Sequence, residues 1–508
     1  MKTKAEIKRR TGTLGLILAI LLGLLPLIAS CKPEPGNEPA TEGTGQQTAA
    51  TEPVSTAEVD TAPTAEEKLK EAVEAIGQRQ MDYTVRIATS NQVNNVLEII
   101  QAPTEENEGD LINDALVRRD AIIEERLGVE IEYKMFGDDP YELLDKPRTS
   151  ITAGQDEYDV IIGDMYNVAK GLLNAGYLVP METVPSVDLN NPWWSESATR
   201  DLSINGKVYF ATGDITPRYV LSPYILMFNK YLFDLQNIEY PYDDVMAGTW
   251  TVDGMLSIIK DTYADRNENS ASDEGDFFGL ACDSTAAYAF FRGCDVMLVS
   301  LDSSGKPISN ADTELLDRIT SYLGTSLGGN ENVFMGTASY QETTIFKEGR
   351  SLFVGNTLTN IYLYNDMTDP YGILPMPKYE SAQEYCSYGQ PWGAVSVLIP
   401  TSCQHLEEVG AIVESMSMIS KYTSTVAALD KTLMVRKTHD EESEATLNII
   451  FSTLSYDLGT IFRWGGVYQD LLDSIRLNES FITTYAGKVD AVNAQIGVLL
   501  KRPAFKSE

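Results

Sequence analysis

Histidine is nearly missing from this chain: its 508 residues contain only His405 and His439. A histidine-ligated zinc centre or a Ser-His-Asp triad therefore has almost no raw material. Positive charge is scarce too, 39 Lys+Arg against 74 Asp+Glu, which leaves a formal charge of −35. That balance excludes nucleic acid as a partner, because phosphate binding needs a basic field. No apolar run after residue 28 is long enough to span a bilayer. P-loop and G-x-G-x-x-G motifs are absent. Ser257-Ile258-Ile259-Lys260 matches S-x-x-K but no K-T-G follows, so it reads as a chance match inside a helix. What is present is ordinary for a globular protein: 43% hydrophobic residues, and length enough for two or three domains.

The first 31 residues stand apart. Lys2, Lys4, Lys8, Arg9 and Arg10 precede an apolar stretch from Leu14 to Ile28, which ends Leu27-Ile28-Ala29-Ser30-Cys31. About 15 apolar residues fall short of the ~20 a spanning helix needs. The pattern is that of an export signal over residues 1–30 with a bacterial lipobox, Cys31 being the lipidated new N-terminus. Its removal takes away five basic residues and one glutamate, moving the charge from −35 to about −39. Residues 31–63, rich in Pro, Glu, Thr, Gly, Ala and Gln, read as a disordered tether with a reach of ~30 Å. Thr64 and Glu67 have capping-box spacing ahead of Leu69, Ala72, Val73 and Ile76, so the first helix is expected to start there.

From Tyr83 onward, strand and helix patterns alternate. Strands are expected at 83–88, 129–133 and 158–162, with helices at 111–127, 143–153 and 168–173 between and after them. A second set follows, with strands at 224–228, 277–282 and 351–354 and helices at 251–262 and 315–323, then a strand at 394–399 and helices to the end. The β-α alternation calls for α/β architecture, parallel sheets flanked by helices. The acidic surplus falls mostly between the apolar runs and reads as a solvated exterior.

Several segments, in order, resemble the bacterial extracellular solute-binding protein family 1, the maltose-binding-like substrate-binding lipoproteins of ABC importers. They are Tyr158-Asp159-Val160-Ile161 with Leu173 to Pro180, then Asn205 to Tyr209 leading to Phe228 to Phe233, and Thr249 to Asp253. Phe346 to Phe353 and Tyr371 to Pro377 with the 394–399 strand complete the series, which covers nearly all of residues 80–430. The resemblance implies a two-lobed fold with hinge crossovers. Lobe one would comprise residues 80–222 plus 370–430, and lobe two 223–369 plus 431–500. It implies a non-enzymatic, monomeric, cofactor-free protein that captures a carbohydrate between its lobes and delivers it to an ABC permease. The protein would be held on the extracellular face of the cell membrane by lipid alone. A surface polysaccharide hydrolase and a ligand-sensing receptor without transport are the alternatives.

Sugar sites pair aromatic platforms with carboxylates and amides, because stacking buries C–H faces and carboxylates accept hydroxyl hydrogen bonds. Asp164, at a strand end, is a candidate cleft residue or a helix N-cap. Asp214, in Thr212-Gly213-Asp214 before the crossover, is a second candidate. Trp193, Trp194, Trp392 and Trp464 are candidate stacking residues or buried packing, Tyr340 is a further candidate, and Trp250 reads as packing. Asp265, Asn267, Asn269 and Asp276 resemble a degenerate calcium loop lacking Gly at position six and Glu at twelve; a solvated acidic loop is the plainer reading. On the family layout Cys282 and Cys294 share lobe two, and Cys386 and Cys403 share lobe one. Pairing within lobes would leave the hinge free; the alternative is four free buried thiols.

Overall fold

The computed structural model describes residues 63–91, 99–137, 140–338, 340–435, 441–502 and 505. The export signal, Cys31 and residues 31–62 of the tether lie outside the described residues. The chain begins on the expected cap. The Thr64 hydroxyl accepts the Glu67 N–H at 3.3 Å, and the Glu67 carboxylate accepts the Thr64 N–H at 2.7 Å. Helix Ala65–Ile76 follows and buries Leu69, Ala72 and Ile76.

A four-stranded sheet is ordered Val395–Leu398, Val160–Asp164, Tyr83–Thr89, Val129–Met135, the first antiparallel and the rest parallel. Helix Leu111–Leu127 feeds its last strand through Gly128, whose φ of 62° a glycine adopts without Cβ strain. Helices Leu406–Ser420 and Ser424–Val435 pack against that helix. The apolar residues of Ala65–Ile76, the sheet and Leu406–Ser420 form one core cluster.

A five-stranded sheet is ordered Tyr371–Leu374, Tyr224–Asn229, Ser351–Thr357, Phe278–Asp283, Val333–Gly336. The last three run parallel, and Tyr224–Asn229 is antiparallel to both of its neighbours. The 371–377 segment, expected at the return to the first lobe, thus starts as an edge strand of this second sheet. Its four residues pair with Leu226–Asn229, and helix Glu441–Ser452 packs on it. The chain rejoins the first sheet only at Val395. The C-terminal helices Val467–Leu477 and Phe481–Ala486 pack on Thr313–Leu323 beside the second sheet.

The four described cysteines are free and buried. Cys386 and Cys403 have different surroundings, which accounts for their not pairing. The Cys386 thiol lies 2.8 Å from Arg292 Nη2 and 3.2 Å from Ser455 Oγ, while Cys403 lies 4.0 Å from an Asp159 oxygen under the first sheet. Burial pushes the Cys294 thiol up to about 12, far from the thiolate that exchange chemistry needs.

Candidate functional site

Parallel strands of the second sheet end together, and their last residues open a cavity of ≈ 310 Å³. Strand Phe278–Asp283 delivers Asp283, which is held by the Tyr224 hydroxyl at 2.8 Å, the Thr285 hydroxyl at 2.7 Å and the Ala286 N–H at 3.1 Å. Strand Ser351–Thr357 delivers Asn356 and Thr357, with Thr359 and Asn360 on the turn of helix that follows. Helix Gln341–Lys347 is entered at Tyr340, whose φ of 65° turns the chain sharply before Glu342. Glu342 is 3% exposed; one carboxyl oxygen accepts Asn356 Nδ2 at 3.0 Å and the Thr343 hydroxyl at 3.1 Å. Burial first, and the Asp283 charge second, push its carboxyl up to about 7.

The opposite wall is Gln390, Trp392 and Gly393, on the segment just before the Val395–Leu398 strand of the first sheet. Arg218 fixes that segment by donating to the Trp392 carbonyl at 2.9 Å and the Gly393 carbonyl at 3.2 Å. Trp392 is 39% exposed, and one flank stacks on Tyr166, ring centroids 4.0 Å apart. Tyr166 also carries cations: Lys170 Nζ is 3.4 Å from its ring centre and the Arg463 guanidinium 4.2 Å. Arg463 reaches the Tyr468 ring as well, at 4.6 Å, so it bridges helix Val467–Leu477 beside the second sheet to Tyr166 beside the first. Burial and the Arg463 charge bring Lys170 down to about 8. The cavity thus has one rigid aromatic platform, two carboxyls, several amides and hydroxyls, and lies beyond the carboxyl ends of α/β strands, where ligands of such sheets bind.

No family profile and no curated protein matches the sequence. Solved structures do. The GacH receptor of Streptomyces glaucescens, studied unliganded and with acarbose, aligns with a TM-score of 0.51 at 15% identity, over 83% of this chain and 99% of that one. The maltose-binding protein MalE of Listeria monocytogenes, in complex with maltose, aligns with a TM-score of 0.51 at 13% identity, over 84% and 99%. The ABC substrate-binding protein Lmo0181 of Listeria monocytogenes, in complex with cycloalternan, gives 0.50 at 12%, over 82% and 99%. The fold is that of an ABC substrate-binding protein.

Within this substrate-binding-protein fold, the residues singled out in the sequence separate into two groups. Tyr340 and Trp392 line the cavity. Asp164 stands behind the Trp392 platform: it caps the helical turn that carries Tyr166, accepting the Asn167 N–H at 2.7 Å. Burial raises its carboxyl, against the opposing pull of that N–H, Arg218 and Lys170.

The structure does not bring the others to the cavity. Trp193 and Trp194 both donate their indole N–H to Glu414 at 2.9 Å, pinning their loop to helix Leu406–Ser420. Two adjacent indoles are accommodated because only Trp194 enters the core, at 5% exposure, while Trp193 covers it. Asp214 is buried against Lys421 at 3.3 Å, and its carboxyl is raised by that burial. Trp464 is buried, stacked on Phe462 with ring centroids 4.5 Å apart.

In the acidic loop, Asn267 and Asn269 both donate to Asp273, and Asp276 accepts the Tyr263 hydroxyl and the Arg266 N–H. Among the described residues no group of three or more His, Cys, Asp or Glu side chains is placed to hold a metal ion. No helix among the described residues is long and apolar enough to cross a membrane.

Sequence reasoning did not single out Asp283, Glu342, Asn356, Asn360, Tyr166 or Arg463. The strand-end rule that selected Asp164 would have selected Asp283, which follows the expected 277–282 strand directly. Glu342 and Arg463 carry no local signal; only the folded chain places them.

Proposed function

We propose that this protein is an extracellular solute-binding protein that captures a carbohydrate in the cavity between its two sheets and hands it to an ABC permease. The observation that carries the reading is the cavity itself. An immobilised indole, Trp392, faces carboxylate, amide and hydroxyl groups at the ends of the second sheet's parallel strands. Such a set matches the flat C–H faces and directional hydroxyls of a sugar. The neighbours of like fold that were crystallised with acarbose, maltose and cycloalternan support the ligand class.

On this reading Trp392 and Tyr340 stack the sugar, and Asp283, Asn356 and Asn360 accept or donate to its hydroxyls. Residues near 222 and between 375 and 395 cross between the lobes, and the protein works as a monomer without catalysis. Cys31 carries the acyl chains, and the tether holds the binding unit outside the membrane. Thermal-shift screening against neutral, amino and acidic oligosaccharides tests the reading. Saturable stabilisation by at least one sugar, abolished in Trp392→Ala, is expected; no shift with any of them refutes it.

One observation favours a second reading. Asp283 and Glu342 are two carboxyls in one cavity, Glu342 raised towards neutrality, as in acid/base pairs of glycosidases. Release of reducing ends from polysaccharide by the purified protein would establish hydrolysis over capture.

A further inference from the structure

We propose that the sugar this cavity takes carries a protonated amine, an amino sugar whose ammonium docks at Asp283 above Glu342. The inference rests on the sugar reading of the cavity and specifies its ligand. The charged groups among the described lining residues are Asp283 and Glu342, both acids; the cations of the opposite wall, Lys170 and Arg463, lie on the Tyr166 and Trp392 rings and are not among the lining residues. Neither acid is neutralised from below. Asp283 is met by hydroxyls and an N–H, and Glu342 by Asn356 and Thr343.

The titratable groups packed around Glu342 are Asp283, the Tyr224 and Tyr364 hydroxyls and the Cys282 thiol, and none of them is a cation. Lys347, on the same helix, is turned away into an ion pair with Asp366 at 2.6 Å. The second oxygen of Glu342 is buried and has no hydrogen-bond partner.

A neutral sugar that sealed this cavity would shut two mutually repelling acids out of water with no lining cation to balance them. An ammonium reverses that balance. It donates a charge-assisted hydrogen bond to Asp283, and its field lets Glu342 ionise. Trp392 and the amides of Asn360 and Gln390 leave the remainder of the cavity suited to a sugar ring, which separates an amino sugar from a simple polyamine.

Protonation follows from the same geometry. Glu342 sits near 7 when the cavity is empty, so ammonium binding expels its proton. Affinity should rise with pH through neutrality until the amine itself deprotonates.

Calorimetric titration with a glucosamine oligosaccharide and its N-acetylated counterpart, at pH 6 and pH 7.5, tests this. The amine form is expected to bind about tenfold tighter, the worth of one charge-assisted hydrogen bond over a neutral one. Its binding should release protons to the buffer. In Glu342→Gln the release disappears and the amine preference shrinks; in Asp283→Asn the preference collapses. Glu342→Gln serves if the Asp283 variant fails to fold, since Asp283 also anchors Tyr224. Equal or tighter binding of the N-acetylated form overturns the amine inference and leaves the sugar reading standing. Absence of binding by every sugar overturns both.

Discussion

Replacing Glu342 with glutamine should make the protein more stable at alkaline pH and leave it little changed at acidic pH. The Glu342 carboxyl stands at about 7 in the folded chain against an ordinary 4.5, because burial and Asp283 both disfavour its charge. Below pH 4.5 the group is protonated in both folded and unfolded chains, and its contribution to stability is fully present. Between 4.5 and 7 the unfolded chain ionises while the folded one holds its proton, so stability falls as pH rises. Above 7 the fall is complete. At 1.36 kcal/mol per pH unit across that window, the total is about 3 kcal/mol. Glutamine has no proton to lose, keeps an acceptor for Asn356 and Thr343, and avoids this penalty. Urea unfolding of both proteins at pH 4.5, 6 and 8 measures it. The stability difference, variant minus wild type, should climb by about 3 kcal/mol across the series. A difference that stays flat to within about 1 kcal/mol would refute the reasoning, since it would mean that Glu342 ionises as freely folded as unfolded.

Three further outcomes follow from other contacts. Glu414→Ala removes the acceptor of the Trp193 and Trp194 indoles and of Asn191 Nδ2 at 2.6 Å, so urea unfolding should show a loss of about 2–4 kcal/mol with a change in tryptophan emission. Arg463→Ala breaks the cation–π bridge from Tyr468 to Tyr166 and should loosen the contact between the two sheets' helices by about 1–2 kcal/mol. Solution scattering of the ligand-free variant should then show a larger radius of gyration than wild type. Cys282, Cys294, Cys386 and Cys403 should resist a thiol reagent in the native protein and all react once it is unfolded without reductant. Retention of any of them as a disulfide would contradict the structure.

Local signals wrote much of this fold into the sequence. The capping box at Thr64, the strands around Val85 and Ile161, and the helix from Leu111 to Leu127 are set by side-chain periodicity and cap chemistry within a few residues. Tyr371–Leu374 was read only through the resemblance, as part of the return to the first lobe, and its pairing in the second sheet was not legible, because an apolar run does not encode its neighbour. The same limit governs the cavity. Trp392 was visible as a tryptophan in a Gln-Pro-x-Gly setting, whereas its stacking partner Tyr166 and the arginine that bridges to it are brought close only by folding. For Trp193 and Trp194 the sequence left stacking and packing open, and the structure decides for packing through Glu414, more than 200 positions away, which accepts from both indoles.

Hydrogen–deuterium exchange with and without a saturating sugar tests the central claim most directly, because it locates the ligand without assuming its contacts. Protection should rise together at residues 336–338 and 340–342 and at residues 390–393, the stretches that carry the facing walls of the cavity. Protection confined to one of those stretches, or falling instead on the acidic loop at 265–276 or the Trp193–Trp194 loop, would contradict capture between the two sheets.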